Sequence, residues 1–421
     1  YIIRQNRAGI FLFEKPGKSN ISGNNIYQND INLQLGDFFT DHISLAGNWW
    51  GSSDAQTIDQ TIYDRQDDPE LGQVDISPTQ AWLFSAGIQR SAKVKPLWRV
   101  PTNGFIDAAP LEINGRIFFA SWDGFLRAVD TDGQIVWKVD TGDTMDGGLL
   151  ATNDDIYVQN WGREFFRGKQ EDGTLQRLYG YPSSPADDHR QAGMAMTDQL
   201  LLLPAWNGTL YAYKRDTLEL LWQYDAGIPL RATPLVDRER IYLASGSGRL
   251  SSLSAAGELI WEKTFSSPLL STPVLYSDLI YQLEKSGLLT AINPAGVVQW
   301  QFEIGQICFY SGPLVADDAL FVATSAGDLW KIDSTSGQLI WTRSLGGAFY
   351  ASPVYGAAGL LVGDNDGWLY LVDIVTGRTI TSYKVDGAIQ SQVLVTGNRL
   401  YFGSRDQNLH ALDLIEGASP E

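Results

Sequence analysis

The stretch KIDSTSGQLIW, residues 331–341, contains one strand, a tight turn and the start of a second strand. Related stretches occur as AVDTDGQIVW at 128–137 and LVDIVTGRTI at 371–380. In each of them an Asp ends the first strand, and a Gly in the turn supplies a positive φ at low cost. The recurrence predicts a chain that is built from one repeated unit.

Large apolar residues mark this repeat at nearly constant spacing, with intervals from 39 to 44 residues. A period of about 40 residues with four short apolar runs is typical of a β-propeller blade. We predict that each mark is an apolar plug between neighbouring blades. The marks are Trp98, Trp137, Trp222, Trp261, Trp300 and Trp341, with Leu178 and Ile380 in two degenerate copies.

Eight units are visible, and they predict an all-β fold, an eight-bladed β-propeller over residues 97–417. The eighth unit lacks a fourth strand, whereas LWRV at 97–100 is a fourth strand without a blade. We expect residues 97–100 to complete the last blade, since closure removes the exposed edges that an open array of hairpins would leave. The units cover 108–137, 147–178, 191–222, 231–261, 271–300, 311–341, 351–380 and 391–414.

Residues 1–80 follow a different pattern, in which short apolar strands alternate with Asn-rich corners. Asn tolerates left-handed corners, and its side chain can hydrogen-bond the neighbouring rung of a solenoid. The pattern predicts the last rungs of a parallel β-helix with a capping segment, followed by a linker at 81–96. About two rungs are visible where a solenoid needs at least three, so we expect further rungs upstream.

Composition excludes several classes of function. The formal charge of −18 disfavours nucleic-acid binding, because a phosphate backbone requires clustered Lys and Arg. Cys308 is the single cysteine, which excludes an intrachain disulfide and a cysteine-based metal cluster. No run approaches the roughly 20 apolar residues of a membrane span. A partner protein, a carbohydrate or a small ligand fits this composition better.

Two family resemblances follow from the quoted stretches. The blades resemble the PQQ-like (quinoprotein-type) β-propeller repeat, whose Ala-x-Asp, Thr-Gly and Trp pattern is matched most fully by 331–341 and 128–137. Separately, residues 47–78, which begin GNWWG, resemble the closing segment of bacterial right-handed parallel β-helix proteins of the carbohydrate-binding and sugar-hydrolase type. Both resemblances imply an extracytoplasmic protein, whether periplasmic, secreted or at the cell surface.

The PQQ-like resemblance implies two different functions, because the family includes dehydrogenases as well as the lipoprotein scaffold of outer-membrane assembly. The dehydrogenases typically hold PQQ with two adjacent cysteines and bind Ca²⁺ through a Glu, an Asn and an Asp. With Cys308 alone, this chain lacks the cysteine pair. PQQ and Ca²⁺ are therefore expected only under the enzymatic alternative.

The first candidate site is the mouth of the central channel. Aligning the blades on the residue before Ala/Ser-x-Pro places Asp107 and Asp146 side by side, and two close carboxylates need a cation, a shared proton or Arg231 as a partner. They are weak candidates for a metal site, and the alternative is a water-filled channel with an ordinary polar lining. The full ring is Asp107, Asp146, Gln191, Arg231, Leu270, Tyr310, Tyr350 and Gln390.

The second candidate is an aromatic face formed by Trp122, Trp161 and Trp206, which occupy the same turn in the first three blades. Exposed indoles at equivalent places would form an arc on which a sugar or an aromatic ligand can stack, at about 0.5–1.5 kcal/mol per ring beyond area burial. The alternative packs each indole beneath the long loop at 179–190.

These observations favour a non-enzymatic binding or scaffold protein, whose propeller face binds a partner protein, a carbohydrate or a small ligand. One alternative is a PQQ-dependent oxidoreductase with the quinone at the axis. The other is a polysaccharide-active β-helix protein, although residues 1–80 would retain only part of such a groove.

Overall fold

The computed structural model describes residues 2–3, 6–12, 25–27, 29–36, 39–40, 42–45, 48–50, 52, 55–76, 92–152, 154–162, 164–180, 192–228, 230–238, 240–356 and 358–416. These residues form two compact units, one within Tyr1–Arg90 and the other within Ser91–Gly417.

The N-terminal unit contains short parallel sheets around a small apolar core. Asn side chains link neighbouring strands: Asn29 Nδ2 donates to the Ile3 carbonyl oxygen, and Asn32 Nδ2 donates to Thr61 Oγ1. Parallel pairing is what stacked rungs require, but the β-helix itself stays a prediction. The elements are β1 (Ile2–Ile3) with β3 (Asn25–Ile26), β2 (Ala8–Leu12) with β4 (Ile31–Leu35) and β6 (Ile62–Tyr63), β5 (Ile43–Ser44) with β7 (Val74–Asp75), and α1 (Ala55–Asp59).

The described residues of the second unit form eight antiparallel four-stranded sheets, which confirms the predicted eight-bladed propeller. Strand β8 (Ala92–Pro101) precedes the first blade. Blades 1–4 are β9–β12 (Leu111–Ile113, Arg116–Ala120, Phe125–Asp130, Ile135–Asp140), β13–β16 (Leu150–Ala151, Asp155–Gln159, Glu164–Lys169, Leu175–Gly180), β17–β20 (Ala195–Met196, Leu200–Pro204, Thr209–Lys214, Leu220–Asp225) and β21–β24 (Leu235–Asp237, Arg240–Ala244, Arg249–Ser254, Leu259–Thr264). Blades 5–8 are β25–β28 (Val274–Tyr276, Leu279–Leu283, Leu288–Ile292, Val298–Glu303), β29–β32 (Leu314–Ala316, Ala319–Ala323, Asp328–Asp333, Leu339–Ser344), β33–β36 (Val354–Gly356, Gly359–Gly363, Trp368–Val372, Thr379–Lys384) and β37–β39 (Leu394–Thr396, Arg399–Gly403, Asn408–Glu416) with β8.

The ring closes as the sequence predicts. Strand β8 pairs with β39 in antiparallel register, with Trp98 opposite Ala411 and Val100 opposite Leu409. The pairing starts at Ala92, before the predicted 97–100. Because β8 pairs with the otherwise free edge of β39, the last blade is complete, and the two ends of the repeat stabilise each other.

Trp and Gly form a repeated contact between neighbouring blades, which we call the Trp–Gly joint. The indole of one blade lies on the turn glycine of the next, where an added Cβ would meet the ring at 2.6–3.0 Å. These glycines have positive φ, so both the backbone and the space select Gly. The joints are Trp98–Gly133, Trp137–Gly173, Trp222–Gly257, Trp261–Gly296, Trp300–Gly337 and Trp341–Gly377.

In most of these joints the indole N–H also donates a hydrogen bond to the turn of the next blade, at 2.9–3.1 Å. The acceptors are the carbonyl oxygens of Thr131, Gln170, Ala255, Pro294 and Ser334. Each of these five joints therefore combines the packing of a large ring with a satisfied polar atom.

Trp341 is the exception, because its Nε1 is buried without a hydrogen-bond partner among the described residues. The equivalent acceptor is the Ile374 carbonyl oxygen, which instead accepts from Lys331 Nζ at 3.0 Å. Burial of Lys331 also lowers the pKa of its ammonium group below the usual value. A cation has thus taken the acceptor that the indole uses elsewhere.

The junction between blades 2 and 3 has no Trp–Gly joint. Leu178 packs against the apolar cluster of blades 2 and 3, but it does not occupy the register position that the indole takes in other blades. Elsewhere the plug lies opposite a fixed residue of the third strand, as Trp137 lies opposite Ala128. In blade 2 the corresponding pair is Arg167 and Gln176. The β-bulge has moved along this strand, and spacing alone does not reveal such a shift.

The junction between blades 7 and 8 differs in the same way. Thr381 lies opposite Leu371, so Thr381 takes the plug position instead of the predicted Ile380. Ile380 falls at the bulge, where the register shifts by one residue. The interval between repeat units had placed the plug at Ile380, one residue before the position that the strand pairing gives.

Candidate functional site

One end of the propeller carries the connections between blades and the turns between second and third strands; we call this end the mouth. Backbone hydrogen bonds tie each turn to the connection of the same blade. Trp122 N donates to the Phe105 carbonyl oxygen, and Arg405 N donates to that of Ala388. Residues from turns and connections therefore lie together at the mouth.

The ring residue Asp107 is buried and forms an ion pair with Arg405. Arg405 donates from Nε at 3.2 Å and from Nη2 at 2.9 Å, one bond to each carboxylate oxygen. Such a two-bond geometry fixes the plane of the guanidinium. The sequence suggested Arg231 as this partner, whereas ring closure brings Arg405 of blade 8 beside blade 1.

Asp146, the second ring carboxylate, is also buried and accepts a hydrogen bond from Trp161 Nε1 at 2.9 Å. Asp107 is thus paired with a guanidinium, and Asp146 accepts a hydrogen bond from an indole N–H. A shared cation or proton between Asp107 and Asp146 is not needed to account for their burial.

The opposite part of the ring is phenolic. Arg231 Nη1 lies 3.5 Å from the Tyr310 hydroxyl, and the rings of Tyr310 and Tyr350 pack edge to face with centroids 6.2 Å apart. Gln390 Nε2 donates to Asn365 Oδ1 at 3.0 Å. Leu270 is half-buried, and Gln191 lies outside the described residues.

The three predicted tryptophans form one continuous contact row, which we call the indole row. The ring centroids of Trp122 and Trp161 are 5.2 Å apart, and those of Trp161 and Trp206 are 6.3 Å apart. Phe105 extends the row beyond Trp122 at 5.3 Å. Trp122 and Trp161 are half-buried, whereas Trp206 is only 9% exposed. The alternative of packing beneath the loop concerns residues 181–190, which lie outside the described part.

An arginine lies over each end of the indole row. The Arg405 guanidinium carbon is 5.3 Å from the Trp122 centroid, and that of Arg231 is 5.8 Å from the Trp206 centroid. Cation–π contacts of this kind contribute about 0.5–2 kcal/mol, depending on desolvation. Part of the aromatic surface is therefore already in use within the protein.

Two indole N–H groups of the row are buried without a hydrogen-bond partner among the described residues, those of Trp122 and Trp206. An unpaired buried donor costs about 1–3 kcal/mol. Groups that oppose folding in this way often mark functional surfaces.

Beneath the row lies a buried ion pair that sequence reasoning missed. Asp123 and Arg127 are 2.5 Å apart, and both side chains are almost fully buried. Burial alone would raise the pKa of Asp123, but hydrogen bonds from Arg127, Ser121 and the Asn103 N–H lower this pKa to about 2. Blade 8 carries Asp406 and His410 at the equivalent places, with His410 Nε2 2.9 Å from the carboxylate. The repeat alignment places an Asp and a basic residue four apart in both blades.

The residues present do not fit a quinone site with calcium. Cys308 is buried, and burial raises the pKa of its thiol to about 12. This single cysteine therefore cannot take the place of the two adjacent cysteines that hold PQQ in the dehydrogenases. Within the described ranges, no group of three or more His, Cys, Asp or Glu side chains is placed to hold a metal ion.

Comparison with known proteins was made for sequence and for structure. The family model described as outer membrane protein assembly factor BamB matches residues 143–306 and 206–419, which together span more than half of the chain. No curated protein sequence matches at a significant level. The family match does not reach the N-terminal unit.

Solved structures show the same propeller fold at low identity. BamB from Moraxella catarrhalis is 17% identical with a TM-score of 0.65, over 76% of this chain and 100% of that chain. The computationally designed Ika8 protein is 13% identical with a TM-score of 0.67, over 76% and 99%. Quinohemoprotein alcohol dehydrogenase from Comamonas testosteroni is 10% identical with a TM-score of 0.62, over 81% and 79%. At these identities the likeness concerns the fold alone.

Among the residues that the structure describes, no helix is long and apolar enough to cross a membrane.

Proposed function

This chain belongs to the family of the outer membrane protein assembly factor BamB, and on that premise we propose that it is a non-enzymatic scaffold outside the cytoplasm. Its mouth binds a partner protein through the indole row, the two flanking arginines and the tyrosines opposite. By analogy with the family description, the partner belongs to the machinery that assembles outer-membrane proteins.

The observation that carries this proposal is the composition of the mouth. Trp, Tyr and Arg dominate the few side chains that supply most of the binding energy in protein interfaces. Here three Trp, two Tyr and two Arg side chains form contacts at one end of the propeller. The rings and the Asp107–Arg405 pair hold one another in place, so little side-chain entropy is lost on binding.

Carbohydrate binding is the second candidate and rests on the same three indoles. Stacking on a sugar needs an open ring face. Arg405 lies over Trp122, Arg231 lies over Trp206, and Trp206 is almost fully buried. A sugar would have to displace these contacts, so the geometry favours a protein partner.

The two enzymatic alternatives receive less support. A PQQ-dependent oxidoreductase needs a pair of adjacent cysteines and metal ligands. The chain has one cysteine, and among the described residues no group of three or more His, Cys, Asp or Glu side chains is placed to hold a metal ion. Polysaccharide cleavage would depend on the β-helix, which stays a prediction for residues 1–80. Binding requires neither feature.

Photo-crosslinking in the producing cells tests the proposal. A benzoylphenylalanine probe at Asn103, which is exposed at the mouth, leaves the indole row intact; a matched probe at Asp132 is exposed at the opposite end. We expect a discrete protein adduct from position 103 only, and its loss when Trp122 and Trp161 are both changed to Ala. An adduct of equal yield from both positions, or none from position 103, would contradict the proposal. Binding on a glycan array that Trp122→Ala abolishes would instead support the carbohydrate alternative.

A further inference from the structure

The junction between blades 2 and 3 differs from its neighbours in having no Trp–Gly joint. Arg167 and Gln176 stand where other blades place a small residue and an indole. The turn of blade 3 keeps the usual backbone hydrogen bonds, since Leu218 N donates to the Lys214 carbonyl oxygen as Gly337 N donates to that of Asp333. Leu218 occupies the glycine position with a φ of 59°.

Leu218 also prevents an indole from lying there, because a Cβ at the equivalent glycines would meet the ring at 3.0 Å or less. Neither partner of the usual joint is present. Leu178 and Leu218 pack against an apolar cluster shared by the two blades, which includes Phe165 and Tyr213, and cavities remain beside this cluster where other junctions hold an indole.

Two adjoining cavities form a cleft at this junction, and Arg167 lines both of them. The smaller one, of about 440 Å³, lies between the outer strands and has an apolar wall of Phe165, Leu178, Leu218 and Leu220. The larger one, of about 960 Å³, opens at the end opposite to the mouth. Their total size and side-by-side arrangement suit a chain that passes from one to the other.

The larger cavity is rich in charge, with an excess of carboxylates. Asp155 is already paired with Arg167 and Lys169, at 2.5 and 2.7 Å. Burial alone would raise the pKa of Asp155, but these hydrogen bonds lower it, so the carboxylate stays ionised within the pair.

The remaining charge of the cleft lies at its rim. Asp216 has Lys214 at 3.6 Å, and the carboxylates of Asp154, Asp198 and Glu219 are exposed. The lining as a whole holds more acidic than basic side chains: Asp154, Asp155, Asp198, Asp216 and Glu219 against Arg167, Lys214 and Arg215. A basic ligand complements this rim.

We propose that the cleft between blades 2 and 3 binds an extended, basic peptide segment of a partner protein. One bulky apolar side chain of that segment enters the cavity lined by Phe165, Leu178 and Leu220, and neighbouring Lys or Arg side chains meet the acidic rim. The site lies at the opposite end from the mouth, so it does not depend on the function proposed above.

The test uses two synthetic peptides of about eight residues, identical except that one carries Lys where the other carries Glu around a central Leu pair. Isothermal titration measures binding to the full chain. We expect the Lys peptide alone to bind, and Asp154→Asn, Asp198→Asn and Glu219→Gln together to weaken it about tenfold or more. Gln176→Trp combined with Leu218→Gly, which together make room for an indole in the apolar cavity, is expected to weaken binding to a similar extent without the charge change.

A matched control separates a site from general attraction to an acidic protein. Asp237→Asn, Glu258→Gln and Asp278→Asn together remove the same charge near junctions that keep the Trp–Gly joint. This control is expected to leave binding unchanged, as is Trp122→Ala at the mouth. Equal weakening by both triple variants, equal binding of both peptides, or full binding to a folded protein that carries Gln176→Trp and Leu218→Gly would overturn the proposal.

Discussion

The junction between blades 1 and 2 and the junction between blades 2 and 3 show two ways in which one repeat packs against the next. At the first, Trp137 lies on Gly173 and donates to the Gln170 carbonyl oxygen at 3.0 Å. At the second, Arg167 turns to Asp155, and Leu218 stands in place of the glycine. The backbone turn has the same hydrogen bond at both junctions, so the difference lies in the side chains and in the position of the β-bulge in the outer strands.

This comparison teaches that a closed ring does not need every joint. Closure by β8 ties the last blade to the first residues of the unit, so the two junctions without a Trp–Gly joint, which we call open junctions, are held in place by the rest of the ring. The residues at a junction without a Trp–Gly joint can then form a binding site. The predictions below test whether the joints differ in stability as they differ in structure.

The largest effect is expected for Trp137→Ala. Removal of a buried indole and its hydrogen bond lowers the free energy of unfolding by about 3–5 kcal/mol. Gln176→Ala, at the equivalent place of the open junction, changes it by less than about 0.5 kcal/mol, because Gln176 is exposed. Urea denaturation of both variants measures the difference. Similar losses for the two variants would show that the open junction is packed as tightly as the other.

Glycine substitutions separate backbone strain from contact with the indole. Gly257→Ala and Gly142→Ala impose the same strain, with φ of 80° and 85°. A Cβ at Gly257 lies 2.6 Å from Trp222, whereas a Cβ at Gly142 meets nothing within 4 Å. We expect losses of about 3 and about 1 kcal/mol in the free energy of unfolding. Equal losses would mean that the indole moves away from the added Cβ without any cost in the free energy of unfolding.

Rebuilding the joint at the open junction gives a smaller effect. In a double-mutant cycle, Gln176→Trp and Leu218→Gly are expected to couple favourably by about 1 kcal/mol, because each substitution alone leaves half of a joint. The free energies of unfolding of the wild type, both single variants and the double variant measure this coupling. A coupling near zero would show that Arg167 or the displaced bulge prevents an indole from docking.

The smallest effect concerns the joint of Trp341 and appears as a pH dependence. The pKa of Lys331 is lowered in the folded chain, so between that pKa and the ordinary 10.5 the unfolded chain alone holds the proton. The free energy of unfolding should therefore rise with pH in this window relative to Lys331→Met. Denaturation of both proteins from about pH 7 to about pH 10 tests the sign. A difference that stays constant with pH would contradict the assignment.

The sequence predicted most of the propeller because its signals are local and repeated. Each turn Asp, Gly and Trp reports on one hairpin, and the incomplete eighth unit required residues 97–100 to close the ring. Leu178 and Ile380 were assigned to the register positions that Gln176 and Thr381 occupy, because a β-bulge changes register without changing composition. Strand spacing does not reveal which residue is bulged.

The candidate site was predicted in part for a similar reason. The indole row follows from one equivalent turn in three blades, and Arg405 occupies that same turn in blade 8. Its pairing with Asp107, 298 positions away in sequence, arises only once the ring is closed. Applying the turn alignment to all eight blades would have found Arg405.

The central claim is that the ring has tightly joined and open junctions, and hydrogen exchange measured by mass spectrometry tests it directly. The outer strands Ile135–Asp140, Leu259–Thr264 and Val298–Glu303 carry a Trp of the joint, whereas Leu175–Gly180 and Thr379–Lys384 do not. We predict that amides of the latter two strands exchange faster than those of the former three. Uniform protection across all five strands would contradict the account.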